Sequence, residues 1–240
     1  MKTEIYNLII LDESGSMDCV KPQTISGCNE TINTIRAAQE KYADTQDHYV
    51  SIYVFQENRK VPSRYLIKNQ SIAEVAHING EQYKPWGCTP LYDAVGGTLA
   101  DLKAITKDKE MAIGSVTIIT DGLENASKHY TRIKVAKMID ALKEIGWSFN
   151  FIGANIDVRG TAASLNIDNA LEFQQDEDGT KEMFACERSC RMAYYDRANA
   201  VMADYAPGAV KSKASRDLLL TRMKEAASDY FKEENDESDE

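Results

Sequence analysis

Four apolar runs, IYNLII at 5–10, YVSIYVF at 49–55, SVTIIT at 115–120 and WSFNFIG at 147–153, are set apart by stretches long enough to hold a helix. This spacing constrains the fold more than any other feature. Runs rich in β-branched and aromatic residues without strict alternation are strands buried on both faces, and parallel strands need a crossover of a dozen or more residues between them. The pattern predicts strands at about 4–11, 48–55, 64–68, 115–120, 147–153 and 170–174, with helices at about 24–43, 90–105, 131–145 and 158–165. RYLIK, at 64–68, follows the second long run after only a brief loop containing Pro62, too short for a crossover, so it is expected as an antiparallel edge strand. The expected architecture is α/β: doubly wound and Rossmann-like, with a mainly parallel central sheet, one short antiparallel edge strand and helices on both faces.

A long helical stretch is expected from Asp178-Gly179 to about Tyr205, with Met183, Cys186, Cys190, Tyr194, Ala198, Val201 and Tyr205 on one face as a core-facing stripe. Ala206-Pro207-Gly208 should end it. A last segment, about 212–232, carries Leu219, Met223, Ala226 and Tyr230 at helical spacing and is expected to dock on its own domain or on a partner. The domain division that follows is 1–206 as the α/β domain and 207–240 as an amphipathic helix with an acidic, disordered tail.

Charge and composition exclude several function classes. The net charge is −10, and the last eight residues, EENDESDE, hold six acids and no base, so the preceding 232 carry −4. That sign is wrong for a sequence-unspecific nucleic-acid binder. No apolar run approaches the length of a membrane span, and MKTEIYNLII reads as a first strand instead of a secretory leader, so the chain is expected to start at Met1 or close to it. Five cysteines, an odd number, suit a reducing compartment, and the cytoplasm is expected. Cys186 and Cys190 are read as small core residues, and Cys19 and Cys28 as packed.

In an open parallel sheet, ligands collect where the carboxyl ends of the strands meet the loops. Three such loops stand out: LDESGSM at 11–17, WGCTPLYDA at 86–94 and ITDGLEN at 119–125. Each alone has an ordinary structural reading. DESGS and TDG are common turns, and Thr89-Pro90 is a helix cap followed by a first-turn proline. Together they place Asp12, Ser14, Ser16, Thr89 and Asp121 on one edge of the sheet.

The order D-x-S-x-S, then a Thr in G-x-T-P-L-x-D-A, then T-D-G after an apolar strand, resembles the von Willebrand factor A domain family and its metal ion-dependent adhesion site. The likeness is to the prokaryotic cytoplasmic type and runs from Met1 to at least Phe173. Cys88 stands where many members have Gly. The resemblance implies that Asp12, Ser14, Ser16, Thr89 and Asp121 hold a divalent cation, Mg²⁺ or else Mn²⁺ or Ca²⁺, directly or through water. The cation keeps an open position that takes an Asp or Glu of a partner protein. Hydroxyls supply oxygen to a hard cation without adding negative charge, and Gly15 is expected to let the first loop fold back. The function this implies is complex assembly by a binding module with no catalytic residues, no nucleic acid and no membrane.

Two other readings compete. A Mg²⁺-dependent hydrolase of the haloacid dehalogenase type would need a second Asp two residues after the first, where Ser14 stands, and neither GxxxxGK[ST] nor GxSxG occurs. A scaffold would act through the C-terminal helices. Glu13, Asp18, Glu124 and Asn125 read as solvated loop residues. Met17 and Trp86 read as packing residues, and His48, His77 and His129 as surface or satisfied ones.

Overall fold

A computed structural model describes residues 2–58, 61–109, 112–204, 213–228 and 230–231. The chain runs β1 (Thr3–Asp12), α1 (Lys21–Lys41), β2 (Gln46–Phe55), β3 (Arg64–Ser71), α2 (Leu91–Thr106), β4 (Ala112–Thr120), α3 (Arg132–Lys143), β5 (Ser148–Gly153), α4 (Val158–Ser164), β6 (Asn169–Glu172), α5 (Glu177–Ala203) and α6 (Lys213–Ser228). The six strands lie in the order β3-β2-β1-β4-β5-β6. All neighbours are parallel except β2 and β3, whose register passes through Tyr53 opposite Tyr65. This is the doubly wound sheet with one antiparallel edge strand that the apolar runs predict.

Side chains of β1 alternate between two cores. Ile5, Ile9 and Leu11 face the layer that contains α1, α5 and α6, and Tyr6, Leu8 and Ile10 face α2, α3 and α4. Burial on both faces is why β1, β2, β4 and β5 read as nearly continuous apolar runs. Asn7 is the exception on β1, fully buried beneath α5, where Arg191 reaches its Oδ1 at 3.3 Å.

α6 docks on its own domain, with Leu219, Met223, Ala226 and Tyr230 buried in the same core as α5. Tyr205, the break at Ala206-Pro207-Gly208 and the acidic end 233–240 lie outside the described residues. On α5, Met183, Cys190, Tyr194, Ala198 and Val201 are buried as expected, and Cys186 is half-buried. Phe184, Glu187, Arg191 and Tyr195 are buried as well, because this helix is covered by the sheet, α1 and α6 and so hides more than one stripe.

α1 and α5 meet closely at Gly27, where an added Cβ would lie 2.1 Å from the Phe184 ring. Gly27→Ala is expected to destabilise by about 1–3 kcal/mol through overpacking. Gly97→Ala is the control, because nothing lies within 4 Å of its Cβ position in mid-helix, so it should stabilise by about 0.5–1 kcal/mol. Urea unfolding of both variants checks the pair, and a shift of the same sign in both would contradict the close approach.

Candidate metal centre

β1 and β4 are adjacent and parallel, and Asp12 and Asp121 sit where these strands end at the same edge of the sheet. From here the chain continues to β2 on one side and to β5 on the other, which opens a crevice at the reversal of strand order. After Asp12 the backbone closes into a short 3-10 turn over Gly15–Val20. Ser14 N–H donates to Asp12 Oδ1 at 2.7 Å, and Thr120 Oγ1 donates to Asp12 Oδ2 at 2.6 Å. The Ser14 and Ser16 hydroxyls are 3.2 Å apart, and Ser16 Oγ donates to Asp121 Oδ1 at 2.8 Å. Thr89 joins them from the loop before α2: a Cβ on Gly122 would lie 3.0 Å from Thr89 Oγ1, so this hydroxyl rests against the backbone next to Asp121. The structure therefore brings all five sequence-selected residues together.

Thr89 does not cap α2. The capping position is Pro90, without a side-chain hydrogen bond, so the Thr89 hydroxyl is not used in closing the helix. Its main chain is held by Asn125, whose Oδ1 accepts from Thr89 N–H at 2.9 Å and whose own N–H donates to Thr89 O at 3.1 Å. Glu124 accepts from the N–H groups of Tyr92, Ala126 and Ser127. Asp93 accepts from those of Lys128, His129 and Tyr130. The expectation of a solvated loop residue is thus corrected at Glu124, which is half-buried and joins the loop after β4 to the first turn of α2; Asn125 is exposed as expected, and it ties the same loop to Thr89.

Glu13 is corrected more strongly. It is fully buried and accepts from Arg64 through both oxygens (2.7 and 3.0 Å), from Gln56 Nε2 at 2.7 Å and from Lys84 N–H at 2.5 Å. A charge-assisted, forked pair of this kind pins the first loop to the start of β3, on the same side of the crevice as β1. Tyr83, also buried, donates its hydroxyl to Asp12 O at 2.7 Å. Gly15 has no positive φ, and a Cβ there would meet only Gly87, its O at 3.8 Å and its N at 3.9 Å, both ordinary contacts. The glycine requirement falls on Gly87, whose φ is +79° and whose Cβ would stand 2.4 Å from Glu57 O. Met17 is buried as expected, but Trp86 is 70% exposed and Cys19 is exposed, which overturns packing as their use. His48 is a satisfied core residue.

Burial raises the Asp12 carboxyl to about 7; the Asp121 charge adds to this, and hydrogen bonds from Thr120 and Ser14 act against it. Burial also raises Asp121, opposed by hydrogen bonds from Ser16 and Gln175. Among the described residues, the side-chain and backbone donors to the two carboxyl groups are Ser14, Thr120, Ser16 and Gln175, and none of these is basic. Two buried carboxyl groups with three hydroxyls beside them and no protein cation make an all-oxygen donor set that fits a hard divalent ion. Among the described residues there is no group of three or more His, Cys, Asp or Glu that could hold a metal. This set differs from such groups because three of its five residues are Ser or Thr.

Sequence reasoning missed Gln175, from the loop between β6 and α5. Its Nε2 donates to Asp121 Oδ2 and, at 2.9 Å, to Ser16 O, while its Oε1 accepts from Asn155 Nδ2. No local motif marks it.

The structure resembles solved structures of the pilus adhesin SpaC from Lactobacillus rhamnosus GG, one of them in an open conformation. Identities are 12% and 13%, TM-scores are 0.58 for both, and the match covers 81% of this chain but only 31% and 30% of the adhesin chains. It also resembles a von Willebrand factor type A protein from Catenulispora acidiphila, with 19% identity, a TM-score of 0.50, and coverage of 80% of this chain and 43% of that one. The fold is that of a von Willebrand factor type A domain. No family model and no curated protein matches the sequence.

Proposed function

We propose that the protein is a binding module whose site of Asp12, Ser14, Ser16, Thr89 and Asp121 holds a divalent cation, Mg²⁺ or else Mn²⁺ or Ca²⁺, and through it an Asp or Glu of a partner protein. The observation that carries this reading is the buried Asp12–Asp121 pair, raised in pKa, facing three hydroxyls and lacking any basic partner among the described residues. A bound cation supplies the missing positive charge and an open position for an acidic ligand. The chain's own residues do the rest. Ser16 donates its hydroxyl hydrogen bond to Asp121, which leaves the Ser16 oxygen's lone pairs available, and Thr120 and Ser14 N–H hold Asp12 in place. Exposed Trp86 and Leu123, at 70% and 60%, lie three residues before Thr89 and two after Asp121, and offer apolar surface beside the charge for a protein partner. The neighbour SpaC is a pilus adhesin. We propose complex assembly, not catalysis, as the work of this site.

Calorimetric titration of Mg²⁺ and Mn²⁺ into chelator-stripped protein tests the reading, alongside Asp12→Ala and Thr89→Ala. One site is expected in wild type. Both variants should lose more than the roughly 10–100-fold in affinity that removal of an outer-sphere partner costs. A wild type that takes up no ion, or variants that match it, would overturn the proposal.

A further inference from the structure

Gln175 makes contacts that its place in the sequence does not explain. It lies just before Asp176, the residue that caps α5, and its amide reaches back across the crevice. Four loops meet at this side chain: the one after β1 through Ser16 O, the one after β4 through Asp121, the one after β5 through Asn155, and its own after β6. The sense of the amide follows from its neighbours. A carboxylate and a backbone carbonyl only accept, so the NH₂ group faces Asp121 and Ser16, and the C=O faces the Asn155 amide. Asn155 is held at φ +57°, a left-handed conformation that Asn tolerates better than most residues.

We infer that Gln175 is a positioning residue of the metal centre: by donating to Asp121 Oδ2 it turns Asp121 Oδ1 toward Ser16, and so aims the Ser16 hydroxyl's lone pairs at the cation. This rests on the metal-binding reading above. Asp121 has one oxygen committed to each neighbour, Oδ1 to Ser16 Oγ and Oδ2 to Gln175. If Gln175 stops donating, the carboxylate is free to rotate, and the Ser16 proton loses its fixed acceptor and can swing into the space where a cation must sit. The Ser16 carbonyl loses the same donor, so the backbone of the 3-10 turn loosens with it. Asn155 acts one step further out, by fixing which end of the Gln175 amide points inward. Groups that orient ligands in this way commonly matter to metal affinity about 10–100-fold.

The test compares wild type, Gln175→Met, which keeps the length without the donor, and Asn155→Gly, which keeps the left-handed backbone without the amide. Calorimetric Kd values for Mg²⁺ and Mn²⁺ are measured together with the thermal midpoint of the metal-free protein. Gln175→Met is expected to raise both Kd values about 10-fold or more, and Asn155→Gly to raise them by less. A role in packing alone would lower the midpoint and leave the Kd values unchanged, and that result overturns the inference. Tighter binding by Gln175→Met overturns it as well, since the amide would then compete with the cation. If wild type binds and only Gln175→Met fails to differ, the inference falls and the site stands; if wild type does not bind, both fall.

Discussion

Glu187→Ala is expected to destabilise the protein by about 3–5 kcal/mol, because it strands the fully buried Arg191 guanidinium without its counter-charge. At about 2–4 °C per kcal/mol for a domain of this size, the thermal midpoint falls by roughly 6–20 °C. Arg191 is opposed by burial, yet Glu187 holds it charged and raises its pKa well above the ordinary value. Glu187 Oε1 accepts from Arg191 Nε at 2.8 Å and Nη2 at 2.5 Å, and Tyr230 OH lies 3.3 Å from the same oxygen. The rest of the guanidinium is spent on Thr117 Oγ1, Asn7 Oδ1 and the Tyr195 hydroxyl. Removing both charges together is a different perturbation. Glu187→Leu with Arg191→Met replaces a desolvated pair by apolar volume and should recover most of the loss, since such exchanges are often neutral or stabilising. Guanidinium unfolding of the single and double variants decides the point. If the single variant is as mild as a surface substitution, within about 0.5 kcal/mol, the pair is not a buried anchor of the fold.

The same pair shows where sequence reading stops. Glu187 and Arg191 are four apart on a helix, a spacing that ordinarily marks a solvated surface pair. Their burial depends on Asn7 in β1 and Tyr230 beyond α6, which no local window contains. By contrast, β1, β2, β4 and β5 were legible because burial on both faces leaves an apolar run, and β3 because its connecting loop is too short for a crossover. Asp12, Ser14, Ser16, Thr89 and Asp121 were legible because each lies in a loop that leaves a strand or enters a helix, where the topology gathers side chains. Glu13 was not: an acid in a Ser- and Gly-rich loop reads as solvated, and its partner Arg64 stands 51 residues away. Gln175 was hidden for the same reason, since its partners Ser16 and Asp121 are distant in sequence and its own loop carries only ordinary polar residues.

His48 gives the fold an acid sensitivity that His48→Gln should remove. The ring is buried on β2, with Nε2 2.9 Å from Gln46 Oε1 and Nδ1 3.5 Å from the Asn7 amide nitrogen, and Tyr195 stacks edge-on at 4.8 Å. Asn7 Nδ2 is a donor, so Nδ1 is bare and the proton sits on Nε2, which leaves the neutral ring satisfied on both sides. Burial first and the Arg191 charge second push its pKa from 6.5 down to about 3, with Asp47 acting weakly the other way. A base with a depressed pKa is protonated more readily in the unfolded chain, so its contribution is fully present above pH 6.5 and is lost as the pH falls toward 3. The slope is about 1.4 kcal/mol per pH unit in that window. Asp12 works in the opposite sense: its carboxyl, raised from 3.8 to about 7, favours the folded state increasingly as the pH falls through that range. The two opposing slopes flatten the wild-type profile in metal-free protein, so the difference between wild type and His48→Gln is the informative quantity. Between pH 6.5 and 5, above most carboxylate titration, wild type should lose about 2 kcal/mol relative to the variant. Urea unfolding in chelator at several pH values measures this, and parallel curves for the two proteins would show that the ring is not held neutral by the core.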